Sequence, residues 1–228
     1  MALILHSHPL ASFCHKVLIA LYETGVPFEA RLVDLGDPAA RAEFLKISPW
    51  GKMPVLVDDA RGRTLFETSI IIEYLDRHYP AAQPLLPVEA EARLDVRLWD
   101  RVFDLYVQQP QQAAVVAVLK GRTEPEPEPE AVAALDKAYQ QIELRMAGRT
   151  WAAGEGFSLA DCAAAPALFY ANCVSPIALR FPAVAAYFER LVARPSVARV
   201  LVEARPYLRF FPLKDRLEPR FLGEGPAA

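Results

Sequence analysis

The sequence predicts a chain of two unlike parts: an α/β part of order βαβαββα over residues 1–80, and an all-helical part over residues 88–228. Three observations carry this. Strand and helix patterns alternate only as far as about Pro80, a proline-bearing stretch without periodicity occupies 81–87, and beyond Glu89 every periodic segment has helical spacing. Composition fits a folded chain with ample core, since 53% of the 228 residues are hydrophobic and 23% are charged. Disorder, collagen and coiled coil are excluded on that basis.

The elements follow in order. Ala2–Leu5 is a short apolar strand, and Phe13–Thr24 is a helical run that stops at Gly25, the usual residue just past a helix end. Pro27 opens a second strand, Phe28–Val33, in which Phe28, Ala30 and Leu32 share one face and Glu29, Arg31 and Val33 the other. Pro38–Lys46 has a proline first and amphipathic spacing after it, as a short helix does. Pro54–Val57 and Arg63–Phe66 flank the turn sequence Asp58-Asp59-Ala60-Arg61-Gly62 and form a hairpin. Thr68–His78 closes the part as a helix with Ile71, Ile72 and Leu75 on its apolar face. The linker 81–87 carries two prolines. Helical spacing then covers 91–120, 131–148, 158–170, 182–193 and 196–203, and the Glu-Pro run 124–130 reads as a solvated surface loop because each proline removes a donor and restricts its predecessor.

Several functions are excluded at this level. Lysine and arginine number 25 against 28 aspartates and glutamates, a formal charge of -3, so no global attraction draws the chain to nucleic acid or an anionic membrane. The apolar run 2–5 breaks at His6, too short for a signal-peptide core, and no later stretch approaches about 18 uninterrupted apolar residues. The expectation is a soluble, cytoplasmic protein acting on a small partner. Cys14, Cys162 and Cys173 are odd in number with no pair at metal-ligand spacing, so reduced thiols are expected. His6 and His8 alternate at a strand end without a third ligand, and no metal is expected.

The most informative stretch is Trp50-Gly51-Lys52-Met53-Pro54-Val55-Leu56-Val57 with Leu65-Phe66-Glu67-Thr68-Ser69 after it. A proline heading a strand leaves the residue before it extended, so Met53 offers a peptide edge to an extended ligand if the Met53–Pro54 bond is cis. Glu67, Thr68 and Ser69 stand where a strand gives way to a helix, and the free N–H groups there, with the helix dipole, make an anion site. A ligand carboxylate fits that point, and its α-amine pairs with Glu67. The plainer alternative is that Thr68 or Ser69 simply caps the helix.

These motifs, together with Phe157-Ser158-Leu159-Ala160-Asp161 in the helical part, resemble the glutathione S-transferase family over nearly the whole chain. The resemblance implies a thioredoxin-like N-terminal domain followed by an all-helical domain, glutathione as co-substrate with no other cofactor, a small electrophile as second substrate, and a homodimer. It also implies that the backbone of Met53, ahead of Pro54, pairs with the cysteinyl part of glutathione. Glu67 and Thr68 would hold its γ-glutamyl end, and Lys52 would face the glycyl carboxylate. Thr68 stands where the family usually has serine and keeps the hydroxyl.

For the reacting sulfur, the segment Leu5–Val17 resembles the strand, loop and helix start where the family places a tyrosine, serine or cysteine. No tyrosine precedes Tyr22. Counting back from Lys16, Ser12 falls where theta-like members keep serine, whereas a zeta- or omega-like register selects Ala11, which has no hydroxyl. Ser12 is the first candidate and Cys14 the second. A serine at a helix start donates its O–H to a thiolate while nearby N–H groups add partial positive charge. The alternatives are Ser12 as an ordinary N-cap and Cys14 as a small buried hydrophobe. Dithiol exchange is disfavoured, since Ser12-Phe13-Cys14-His15 has one sulfur where two are needed.

In the helical part Ser158 and Asp161 form a capping box with Phe157 before it, a structural device. Phe103, Tyr106, Gln109 and Gln112 recur at spacings of three, and by the resemblance this helix borders the electrophile pocket, so Tyr106 and Gln109 are the candidates to line it. The tail 207–212 either folds back as an aromatic lid or packs. The function implied is transfer of glutathione to an electrophile. A binding or regulatory protein of the same shape without transferase activity, and a glutathione-dependent peroxidase or isomerase, are the alternatives.

Overall fold

The structure is a computed structural model that describes residues 3–121, 127–177 and 180–223. The chain divides into two compact units between Leu86 and Pro87.

The first unit is a thioredoxin-like α/β layer built on a four-stranded sheet of order β2-β1-β3-β4. Its elements run β1 (Leu3–Ser7), α1 (Ser12–Thr24), β2 (Phe28–Leu32), α2 (Pro38–Ile47), β3 (Val55–Asp58), β4 (Arg63–Leu65) and α3 (Thr68–His78). β1 runs two residues beyond the expected end because His6 and Ser7 pair in parallel with Arg31 and Leu32 of β2. β3 pairs antiparallel with β1 on one side and with β4 on the other. Alternation along β1 divides the sheet into two faces. Val33, Phe44 and Val55 form the core under α2, with Leu35, Ile47, Met53, Val57 and Phe66 packed around them. Leu3, Leu5, Val17, Ile71, Ile72 and Leu75 are buried as well.

α1 ends as expected, with Gly25 at φ 67° donating its N–H to the carbonyl of Leu21. α2 starts under Asp37, whose carboxylate accepts the N–H groups of Ala39 and Ala40 at 2.7 and 3.0 Å. At the far end of β3, Asp58 accepts the hydroxyls of Tyr74 and Tyr79 at 2.7 and 2.6 Å, so the hairpin turn is tied to α3.

The second unit has helices and no strand among its described residues: α4 (Ala90–Val102), α5 (Gln109–Leu119), α6 (Pro129–Met146), α7 (Leu159–Ala171), α8 (Pro182–Ala193), α9 (Pro195–Leu208) and α10 (Pro219–Leu222). The single helix expected over 91–120 is interrupted by a π-helical turn, Phe103–Gln108. The Glu-Pro run also ends sooner than expected, because Pro129 opens α6 as its first residue, where a missing N–H costs nothing. Residues 124–126 of that run lie outside the described residues.

Asp161 organises this unit. Its buried carboxylate accepts the Ser158 N–H and hydroxyl at 2.9 Å each, the Ala152 N–H at 2.9 Å and the Tyr187 hydroxyl at 2.6 Å. The tail packs rather than standing as a lid within its own unit: Phe211 is buried with its ring 5.0 Å from that of Tyr170, while Phe210 stays exposed.

Candidate functional site

Strand register brings the three motif regions to one end of the sheet. His6 pairs with Val55 and Leu56 with Leu65, so the exit of β1, the entry of β3 and the exit of β4 coincide there. The loop 8–11, the segment 52–54 and the turn 66–68 continue from those three strand ends.

The loop after β1 is held by its own turn. Ala11 donates its N–H to the carbonyl of His8 at 3.0 Å, and Leu10 donates to His8 Nδ1 at 3.1 Å. Ala11 is the N-cap of α1, extended at φ -84° and ψ 112°, and Ser12 is the first helical residue. This corrects the alternative in which Ser12 is an ordinary N-cap. Its side chain makes no hydrogen bond among the described residues, although Ser12 is only 6% exposed. No acidic residue occupies the first turn of α1, so the positive end of the helix dipole is not neutralised from within that turn.

Met53–Pro54 is a cis peptide. Ahead of it, the Ser48 hydroxyl donates to the carbonyl of Lys52 at 3.0 Å, and Gly51 N–H donates to the carbonyl of Ser48 at 2.9 Å. Gly51 sits at φ 60°, where a side chain would be strained and its Cβ would come 3.3 Å from Leu45 Cδ2. Met53 itself, half-buried, makes no backbone hydrogen bond among the described residues. It presents an unpaired N–H and C=O, which proteins seldom leave without a partner. Pro54 is buried and Lys52 is exposed.

The β4–α3 turn is the most unusual backbone of the unit. Glu67 is the N-cap of α3 at φ 64° and ψ 115°, and it alone among the described non-glycine residues has a positive φ. Such a conformation costs on the order of 1–3 kcal/mol and persists where the surroundings impose it, most often at functional sites. Its side chain makes no capping bond, and no acidic residue stands in the first turn of α3. Neither Thr68 nor Ser69 is the cap, which corrects the plainer alternative for this turn. Thr68 is buried as the first helical residue, and Ser69 Oγ accepts from Lys16 Nζ at 3.1 Å.

That contact ties α1 to α3. Lys16 follows Ser12 by four residues, so both lie on one face of α1, and the face carrying Ser12 looks toward the start of α3. Sequence reasoning missed Lys16 and Ser48 beside the candidate site, and named Ser69 only as part of the strand-to-helix junction. A lysine within an otherwise apolar helical run, Val17 to Leu21 following it, was the available signal for the first. The Ser48–Lys52 bond had none.

Cys14, the second candidate for the reacting position, is 0% exposed, and burial pushes its thiol up to about 12. A thiol so placed is protonated at neutral pH and packs as a hydrophobe. The face expected in the second unit is also corrected: Phe103 is buried while Tyr106, Gln109 and Gln112 are exposed. A π turn holds more residues than an α turn, so the expected spacing slips by part of a turn across 103–108. Tyr106 is 61% exposed.

Among the described residues no group of three or more His, Cys, Asp or Glu side chains is placed to hold a metal ion, and no helix is long and apolar enough to cross a membrane.

Comparisons with known proteins fit this geometry. Residues 11–78 match the family described as Glutathione S-transferase, N-terminal domain, and residues 107–195 that described as Glutathione S-transferase, C-terminal domain. The chain is 32% identical over 205 residues to the stringent starvation protein A homolog of Haemophilus influenzae, covering 85% of this chain and 87% of that protein. It is 28% identical over 206 residues to a glutathione S-transferase of Pseudomonas putida, covering 87% and 91%. Among solved structures, a glutathione S-transferase from Methylobacillus flagellatus with glutathione bound superposes with a TM-score of 0.76 at 24% identity, covering 87% of this chain and 98% of that one.

Proposed function

Because the chain belongs to the glutathione S-transferase family, we propose that it binds glutathione along the sheet end of its first unit and activates the thiol beside Ser12. The observation that carries this reading is Glu67, a non-glycine residue held at φ 64° with its carboxylate unused by the helix it precedes. A carboxylate so displayed beside an uncapped helix start suits a zwitterionic end group, taking the ammonium on Glu67 and the carboxylate on the N–H and hydroxyl of Thr68. The unpaired backbone of Met53 then takes the cysteinyl peptide, and Lys52 faces the glycyl carboxylate.

The chemistry asked of the protein is modest. A thiol of pKa near 8.5 is only about 3% ionised at pH 7, and lowering that pKa by about two units takes about 2.7 kcal/mol of differential stabilisation. The Ser12 hydroxyl, without another hydrogen bond among the described residues, together with the N-terminus of α1, supplies a charge-assisted hydrogen bond and a dipole of that order. The thiol proton leaves to solvent. The thiolate then attacks the electrophilic carbon with its lone pair, and the leaving group departs with the electrons of the broken bond. Tyr106 and Gln109, exposed on the π turn and the start of α5, are the proposed contacts of the second substrate.

A second reading is a binding or regulatory protein of the same fold without transferase activity. It is supported by relatives named stringent starvation protein A rather than transferase, and by Ala11 in the alternative register of the helix start. Titration calorimetry with glutathione tests the first reading: binding in the micromolar to millimolar range is expected from a few solvent-accessible polar contacts. No heat at about 10 mM glutathione would remove the first reading. Binding without turnover of any electrophile would favour the second.

A further inference from the structure

The face of the sheet on which α2 packs carries a cavity. α2 is only ten residues long and covers the half of this face around Val33, Phe44 and Val55. Beyond it lies a pocket of about 530 Å³, lined by Ile4 and His6 of β1, Arg31 of β2, Val57 and Asp59 of the β3 strand and its turn, Thr64 and Phe66, with Lys46, Ile47 and Pro49 forming the α2 side. That volume is in the range of small-molecule sites. None of Ser12, Lys52, Met53, Glu67 or Thr68 lines it.

Register orders these residues into rows across the sheet. Arg31, His6 and Val55 are cross-strand neighbours in one row, and Ile4, Val57 and Thr64 in the next. Asp59 lies two residues beyond Val57, at the end away from His6. The floor is therefore apolar along Ile4 and Val57, with Phe66 and Ile47 as walls. The imidazole of His6 and the guanidinium of Arg31 are neighbours in one row, the carboxylates of Glu29 and Asp59 act on Arg31, and Lys46 lines the α2 side.

His6 is the informative group. It is 7% exposed, its ring makes no hydrogen bond among the described residues, and it lines the pocket. Burial, then the neighbouring Arg31, holds its pKa below the ordinary histidine value, so at neutral pH it presents one donor and one acceptor. The ring lies 6.3 Å from that of Phe44, and its nitrogens are not sealed from solvent, so a ligand in the pocket can take their hydrogen bonds. The two cations are available at little cost. Arg31 pairs with Glu29 at 2.7 Å and Lys46 with Glu43 at 2.6 Å, but all four side chains are about half exposed or more. Surface pairs of this kind are worth at most about 1 kcal/mol, so either cation can turn to a better anion.

We propose that this pocket binds a small organic acid, its carboxylate held by His6, Arg31 and Lys46 and its apolar body lying on Ile4, Val57 and Phe66. The arrangement is independent of glutathione chemistry. A carboxylate at the His6 end gains hydrogen bonds from a neutral imidazole N–H and the two cations, and the body packs on the apolar floor of Ile4 and Val57, displacing water from the cavity.

The test uses 4-bromobenzoate on the full chain saturated with glutathione. In crystals grown with the compound, bromine anomalous scattering is expected within the pocket, with the carboxylate toward His6. In solution, backbone amide shifts on titration are expected to cluster on β1, β3 and the end of α2. The double variant Arg31→Gln/Lys46→Gln, at exposed positions, should bind at least tenfold more weakly, and Thr64→Trp, which fills the cavity from an exposed strand position, should abolish binding. Bromine at another site only, no bound bromine, or titrations indifferent to both variants would overturn the proposal. Because glutathione is already bound, a negative result leaves the reading of the first site standing.

Discussion

Replacing Glu67 by glycine should raise stability and weaken glutathione binding together. At φ 64° and ψ 115° a residue with a Cβ is strained by roughly 1–2 kcal/mol, which glycine does not feel. Against this, glycine gives the unfolded chain more freedom, at a cost of about 0.5–1 kcal/mol. The Glu67 side chain makes no capping bond, and its carbonyl, which accepts Ile71 N–H at 2.9 Å, is retained, so no other folded-state interaction is lost. The net gain is about 0–1.5 kcal/mol, or up to about 6 °C in Tm for a chain of this size. Glutathione affinity should fall by about 1.5–3 kcal/mol, the usual loss for a charge-assisted hydrogen bond. Scanning calorimetry and titration calorimetry read the two effects. A variant that melts lower than wild type would refute the strain argument, and an unchanged affinity would remove Glu67 from the site.

Asp58 should show a pH signature. Burial raises its pKa, but the hydroxyls of Tyr79 and Tyr74, the Arg61 N–H and the Arg61 guanidinium outweigh this and hold the carboxyl below the usual range. A depressed folded pKa stabilises above the unfolded value near 3.9 and is lost as pH falls through the folded value. Asp58→Asn should therefore cost about 2–3 kcal/mol in urea melts at pH 7, with the deficit shrinking below about pH 4; an equal deficit at both would contradict it. The family also leads us to propose a homodimer, and light scattering should return twice the 25.3 kDa chain mass at micromolar concentrations. A monomer mass throughout would count against it.

What was legible in the sequence was local. The strand and helix alternation through His78, the capping box at Ser158 and Asp161, and the Glu67-Thr68 junction each rest on neighbours a few residues apart, where periodicity and capping chemistry act. What was not legible depended on distance or on half-turns. Lys16 and Ser69 are 53 positions apart, and only the packing of α1 on α3 joins them. The π turn at 103–108 adds part of a turn to a helix whose spacing looks continuous, so Phe103 and Tyr106 part company. Capping preference favours Ser12 over Ala11, yet Ala11 takes the extended N-cap geometry and leaves the serine hydroxyl unspent. The pocket beside His6 exists because α2 stops at Ile47, and no residue pattern records how much of a sheet a helix covers.

The central claim is that the Ser12 hydroxyl sets the thiolate, and the pKa of the bound glutathione thiol tests it most directly. Ultraviolet absorbance of the thiolate against pH, at saturating glutathione, gives that value for wild type, Ser12→Ala and Cys14→Ala. The wild-type value should lie about two units below the free thiol near 8.5. Ser12→Ala should raise it by about one to two units, about 1.4–2.7 kcal/mol, while Cys14→Ala, which removes only a buried thiol held near 12, should leave it in place. A Ser12→Ala profile that overlays wild type, with mass spectrometry showing glutathione attached to Cys14, would contradict the account and assign the chemistry to the cysteine.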